Sequence, residues 1–466
     1  MTRKVLNTVT IYFLLLLVFS SLSIQTAAQS EKVKKKQLET AKKLVAEGDT
    51  FYRQKDYQAA IGKYAQATEV APNYALAHFS KGYAQYNLGQ YDSAITDFNE
   101  SLKQGYTPIE VFKIRWEAFY QKKNYDAALV DLQQILKTTP SDPAFNFNVG
   151  KVYFAQGAHQ NALDAYQKMS NLDQKNADVH YFMALSYSAL NKYTQQKAEC
   201  TKAIDKGTKY KIECLVFIGQ ILQTDKKYDE AAQVFEKIII AKPNNREVFI
   251  NLAHIYRLLN QFDKAIATTK GGLLTFPNDG DFFTSLSLYY SLADQPQKAF
   301  NYAQAAVNVL PNKYAGYTNL CRAYNDLKQY NEAVLACNNA LRLNPGDGES
   351  KFYLGRAFAF QKKSKIAAEY YKKAVDGLLL YTNDNPNNPD GFYLLGNSYF
   401  AVGQHSEAIG AYKKTLELTP KFAKARYNLG YIHALNRDKV SARQQFDELQ
   451  KIDAALAEKL LQEINK

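Results

Sequence analysis

Groups able to do chemistry are plentiful in this chain, but they do not fall in the spacings that chemistry needs. Its six histidines, His78, His159, His180, His254, His405 and His433, are scattered and show no metal-ligand spacing. There is no H-E-x-x-H, no G-x-S-x-G and no G-x-x-x-x-G-K-S/T, hence no zinc-protease helix, serine-hydrolase elbow or phosphate loop. Carboxylates are abundant, yet no pair stands in an apolar setting that would drive two pKa values apart, although acids from distant segments can still meet in the fold. The expectation is a protein that is not an enzyme, with no catalytic residue, no metal and no cofactor. Four cysteines remain. Cys200, Cys214, Cys321 and Cys337 each read as buried helix-contact thiols. Cys321 and Cys337 would stand level across one helix hairpin, so they are the better candidate pair for a disulfide.

The elements that position these residues are clearest in 389–422, PDGFYLLGNSYFAVGQHSEAIGAYKKTLELTPKF. Phe392, Leu395, Gly396 and Tyr399 mark one face of a helix. A turn at Gly403-Gln404 follows, then Ala408, Tyr412 and Thr415 mark a second helix, which Pro420 stops. Gly396 and Ala408 are small where the two antiparallel helices would touch. A hairpin with one apolar side cannot bury that side alone, and the unit recurs at a period of about 34 residues, which defines a solenoid.

The pattern large-x-x-Leu-Gly-x-x-Tyr, Ala-x-x-x-aromatic, Pro resembles the tetratricopeptide repeat (TPR) family over about nine-tenths of the chain. The resemblance implies an all-α, right-handed superhelical solenoid of about twelve hairpins over 41–452, with a capping helix at 453–466. Four departures carry expectations. Trp116 stands where the small residue belongs, which predicts a locally widened third hairpin. Gln196 replaces the central Ala of the fifth. Gly271-Gly272 lies inside a second helix and predicts fraying. Residues 377–388 end in an Asn/Pro-rich stretch that reads as a loop inserted into the tenth repeat.

Residues 1–28 read as a signal peptide: Arg3 and Lys4, the apolar run Ile11–Phe19, and Thr26-Ala27-Ala28 before the cut. Retained, residues 5–24 would instead form a weak inner-membrane anchor. A polar tail, 29–40, follows. The formal charge of +13 would invite nucleic acid or acidic membrane, but much of it falls in turns such as Lys122-Lys123, Lys226-Lys227 and Lys362-Lys363. With an export signal in front, nucleic acid is not expected as a partner.

In TPR proteins the second, fifth, ninth and twelfth positions of a repeat line a concave groove that holds peptides. Here the early repeats place Phe79, Tyr83, Tyr86, Tyr120, Phe147, Phe154 and Tyr181 at such positions. The middle is polar, with Glu213, Gln220, Gln223, Glu247, His254, Arg257, Asp281, Arg322 and Asn325. Late repeats return to Phe352, Phe360, Tyr393, Phe400, Tyr427 and Tyr431. Rings offer large contact area at low entropy cost, and they also serve to pack neighbouring first helices. Asn397 and Asn428 occupy two positions of the chaperone-tail clamp of one TPR subclass, but Tyr393 stands where its Lys belongs. The expected function is a non-enzymatic interaction scaffold of a bacterial cell envelope, periplasmic or secreted, that binds envelope proteins. The alternatives are a membrane-tethered adaptor, or a polysaccharide-export module whose rings stack on sugars.

Overall fold

A computed structural model describes residues 28–466. The leader expected over 1–28, with its apolar stretch 5–24, lies outside the described residues apart from Ala28. Among the described residues there is no strand, and no helix is long and apolar enough to cross a membrane. Helices pair into twelve consecutive hairpins, and the helix Ala454–Ile464 follows as a twenty-fifth element. That last helix buries Ala457, Leu460 and Ile464 against Phe446 and Leu449, closing the apolar end of the array. The chain divides into two compact units, Met1–Lys211 and Ile212–Lys466.

Local chemistry starts and stops each helix. Asp142, Asp279, Asp347 and Asn388 accept hydrogen bonds from the first-turn amides of the helices that follow them, which substitutes for the missing intrahelical acceptors. Inside every hairpin the turn contains one residue with positive φ. Only three of the twelve are glycine, Gly89, Gly157 and Gly403; the others include Lys55, Lys123, Lys226, Lys328, Lys362 and Arg437. The exposed basic turns noted in the sequence are therefore left-handed residues placed in solvent.

Packing inside the hairpins follows one rule. A Cβ on Gly396 would come within 2.6 Å of the Tyr412 ring, and one on Gly219 within 2.7 Å of Phe235. The glycine on the first helix thus makes room for a nearly fully buried ring on the second. Trp116 exchanges these roles. It is buried, and the position facing it is occupied by Leu132 rather than by a ring. Volume is conserved across the contact, so the overpacking expected there is offset. Cys321 and Cys337, 16 positions apart, fill the same two places in the ninth hairpin and form a disulfide, with Cα atoms 5.1 Å apart. Cys200 and Cys214 are buried.

The polar tail 29–40 is helical and largely exposed, and it runs on into the first hairpin. Two expectations need correction. The helix Phe262–Thr275 runs unbroken through Gly271-Gly272. A Cβ on Gly272 would lie 2.9 Å from Phe282, so close approach of the next repeat outweighs the propensity cost. The 377–388 segment is mostly not a loop. The helix Ser364–Asp384 absorbs it as an extension of 21 residues in all, leaving only a short turn before Pro389. At the root of that extension Gly377 lies against Gly348, where added Cβ atoms would meet backbone at 2.9 Å or less.

Candidate functional site

In the first unit the aromatic positions mostly serve each other. Phe79 stacks on Tyr106 at 4.5 Å between ring centres, and Tyr83 stacks on Tyr52 at 5.4 Å. Phe147 meets Phe182 edge-on at 4.9 Å, and Tyr181 stacks on Tyr210 at 4.2 Å. Tyr86, Tyr120 and Phe154 each close on the first residue of their own second helix, respectively Tyr91, Tyr125 and His159. Burial and a hydrogen bond with Glu117 push the Tyr86 phenol well above its usual range. All seven expected residues are half-buried. The structure brings them together as packing rings whose edges reach the surface.

Charge in this unit is buried for structural ends. Arg115 donates to both carboxylate oxygens of Asp131, at 2.9 and 2.6 Å, and to Asn99 Oδ1 at 2.5 Å. Burial raises the Asp131 pKa, and Arg115 opposes it only in part. His180 Nδ1 lies 2.7 Å from Glu199. Burial alone would raise Glu199, but hydrogen bonds from His180 and Lys202 hold it below the usual carboxylate range.

The second unit is built differently. Three contacts join repeats far apart in sequence: Arg257 Nη1 to Asp390 Oδ2 at 2.5 Å, Lys424 Nζ to Asp294 Oδ1 at 3.0 Å, and Lys226 Nζ to the Glu417 carbonyl at 3.5 Å. Within this unit the array returns on itself around its inner face. The chamber on its inner face, open to solvent on one side, measures about 1040 Å³ and is lined largely by the first helices of repeats eight to twelve.

Five carboxylates line the chamber, Asp294, Asp326, Asp347, Glu349 and Asp390, against three cations, Arg322, Arg356 and Lys424. Arg356 pairs with Asp326 at 3.0 Å, and Arg322 pairs closely with Glu349. Burial pushes the Glu349 carboxyl up; Arg322 opposes this, while Asp347 and Asp390 add to it. Burial alone would weaken the Arg322 charge, but Glu349 and the Tyr353 ring, 5.2 Å from its guanidinium, hold it protonated. Beyond the chamber, burial and Arg257 hold His254 down to about 3, so it is neutral near pH 7.

Of the late aromatics, Phe352 and Tyr393 line the chamber. Phe360 is 57% exposed and stacks on Tyr330. Phe400 lies against His405 and Tyr431, and Tyr427 stacks on Tyr431, so these three stand apart from it. Of the polar middle, Arg322 lines the chamber, Arg257 pairs with Asp390 of its lining, and Asp281 pairs with Arg246 and Lys313. Asn397 and Asn428 hydrogen-bond to each other at 2.9 Å, and Asn397 also accepts from Tyr412. The two are engaged with the scaffold rather than set as a clamp. Glu349, Arg356 and Asp390 were missed, although they hold the second, ninth and second positions of repeats ten, ten and eleven. The inward rule covers them, but in the late repeats the rings beside them carried the stronger signal. Tyr381 reaches the chamber from the extended helix, which no repeat rule anticipates.

Tandem helix hairpins with a lined inner face define a helical-repeat binding protein, and the chain belongs to the TPR repeat family. It matches TPR repeat over 117–157, 150–191 and 396–436, and tetratricopeptide repeat over 45–106 and 318–378. Residues 173–345 also match ChAPs (Chs5p-Arf1p-binding proteins). It is similar to small glutamine-rich tetratricopeptide repeat-containing protein 2 of Mycosarcoma maydis, 27% identical over 34% of this chain and 36% of that one. It is similar too to a DnaJ homolog subfamily C member 7 homolog of Schizosaccharomyces pombe, 25% identical over 46% of this chain and 51% of that one. The chain thus spans about a third to a half of the length of these relatives. Among solved structures, yeast Tom70 is similar at a TM-score of 0.40 and 16% identity, over 91% of this chain and 94% of that one.

Proposed function

We propose that this protein is a non-enzymatic scaffold that holds segments of partner proteins on the inner face of its repeats, with the second unit as the main binding region. The observation that carries this reading is the chamber on the inner face of the second unit. A solenoid can satisfy its fold with packed rings, as the first unit does, yet the second spends buried charge and volume on an interior surface. Family membership supports the reading, since TPR proteins are generally protein–protein interaction scaffolds. Two relatives carry chaperone names, Hsc70-interacting protein 1 of Drosophila melanogaster among them, 29% identical over 23% of this chain and 29% of that one. The partners proposed here remain envelope proteins, because the N-terminal residues read as an export signal. The Cys321–Cys337 disulfide supports an oxidising compartment for the same reason.

The test is affinity capture of the tagged, full-length protein from crosslinked cell envelopes. A Phe352→Ala/Tyr393→Ala variant should lose the partner, and a Tyr83→Ala/Tyr86→Ala/Phe154→Ala variant should keep it wherever it stays folded. Retention by the first and loss by the second would move the site to the early repeats. Export has its own checks. N-terminal sequencing should find a start near Gln29, and thiol titration should find two reactive thiols after unfolding, not four.

A further inference from the structure

The second unit closes on itself along one seam. Lys226, Asn260 and Asp294, each one repeat from the next, are the left-handed residues of three successive hairpin turns. These turns meet the connection between repeats eleven and twelve in chain order. Lys226 Nζ donates to the Glu417 carbonyl at 3.5 Å, Asn260 borders a small void together with Thr419 and Phe422, and Asp294 pairs with Lys424 at 3.0 Å. Arg257, just before the middle turn, reaches Asp390 at the start of repeat eleven. Among the described residues Asp294 is the one acid at the twelve left-handed turn positions, the others holding Lys, Gly, Asn or Arg. The turn itself needs only a residue that tolerates positive φ. The charge of Asp294 serves its contact with Lys424.

The seam is held weakly. Lys226 stands at the outer limit of hydrogen-bond distance. Lys424–Asp294 is a largely exposed pair, and such pairs contribute little. Arg257 is 6% exposed, and a buried ion pair roughly offsets its own desolvation. The void beside it measures about 10 Å³, the space of one water. Thr419 borders that void, and its buried hydroxyl has no hydrogen-bond partner among the described residues. The interfaces between consecutive repeats are of another kind, with Leu378, Leu394 and Leu395 buried in one continuous apolar core. Four such interfaces separate repeat seven from repeat eleven, so a small rotation at each adds up to a large displacement across the seam. Asp294, Asp390 and Lys424 also line the chamber, which makes the seam one of its walls.

We propose that this seam is a clasp: repeats eleven and twelve part from the turns of repeats six to eight to admit a partner segment into the chamber, then close beside it. A weak polar contact between firmly packed arms sets two arrangements close in free energy, and a partner that favours one shifts the balance. Parting the seam opens a second side of the chamber and leaves the apolar cores between repeats intact. This rests on the scaffold reading above and adds how the site is entered.

The test uses the full chain with dyes attached at Lys227→Cys and Lys421→Cys, exposed positions on either side of the seam. The free native thiols, Cys200 and Cys214, are fully buried and stay unlabelled. Single-molecule energy transfer should show a closed and an open population, with salt raised from about 0.05 to about 1 M favouring the open one. Asp294→Lys turns an attraction into a repulsion and should raise the open-to-closed ratio about fivefold. Adding Lys424→Asp restores the pair with its charges exchanged and should bring the ratio back. Both variants should keep the parent's melting temperature, since neither touches a core. A single population unmoved by salt and by Asp294→Lys, or a shift that Lys424→Asp fails to reverse, overturns the proposal. A second arm asks whether entry uses the seam. Tagged Asp294→Cys/Lys424→Cys protein, joined by a short bis-maleimide before it meets an envelope extract, should lose the partner that the same variant captures unlocked. Equal capture by the two forms means that the partner enters by the chamber's open side, and the clasp falls while the scaffold stands. If neither the unlocked form nor the parent captures a partner, the scaffold reading falls and the clasp with it.

Discussion

The two units use one repeat for opposite purposes. In the first, inward positions hold rings that close on each other, Phe79 on Tyr106 and Tyr181 on Tyr210, and its buried ion pair Arg115–Asp131 is fully engaged with protein groups. In the second, the same positions hold Arg322, Glu349, Arg356 and Asp390 around an open chamber. The stripe between the two helices of a hairpin fixes the fold, and the inward positions are free to diverge. Desolvating charge at those positions costs several kcal/mol per ion unless it is paired. The second unit pairs most of its charges and leaves a carboxylate and a guanidinium donor over.

The comparison breaks first at Asp131. Asp131→Ala should strand Arg115 and cost about 3–5 kcal/mol, seen as an early transition in urea unfolding. A paired Arg322→Met/Glu349→Met change in the second unit should cost well under half of that. Similar costs would mean that both pairs serve only stability. Next, Cys321→Ala/Cys337→Ala should lower the stability of the second unit by about 3 kcal/mol, with the first unit unmoved in hydrogen exchange.

A pH series sharpens the contrast further. His254 titrates near 6.5 unfolded but near 3 folded, so the unfolded chain binds the extra proton between those values. Stability of the second unit should therefore fall as pH drops from about 6.5, by at most about 1.4 kcal/mol per pH unit for one proton. His254→Gln should flatten that slope. The smallest effect should be alike in both units. Lys123→Gly and Lys362→Gly relieve left-handed residues, at φ 58° and 60°, and should each add up to about 1 kcal/mol in thermal melts.

Most of the fold was legible because hairpin contacts repeat. Gly396, Ala408 and Tyr412 spell out one packing solution, and deviations such as Trp116 still obey its volume rule through Leu132. The insertion at 377–388 misled because Asn and Pro signal a loop, whereas the residues before them, through Asp384, continue a helix against Gly348. The site was only half legible. Phe352 and Tyr393 were visible as rings at inward positions, and Glu349 and Asp390 sat at positions equally visible. What sequence does not carry is the return of the array that brings Arg257 to Asp390. That contact joins residues 133 positions apart and depends on the small rotation accumulated at every step between them.

The exchange at the hairpin contact has a consequence for how the chain sorts itself out while folding. Look-alike modules in tandem can dock the wrong partners. Here a helix bearing Trp116 fits a second helix that offers Leu132, and collides with one that offers Tyr166. A helix bearing Gly150 would leave a hole against Leu132. Matched bulk at one contact thus works as an address, letting each first helix recognise its own second helix among a dozen near-copies.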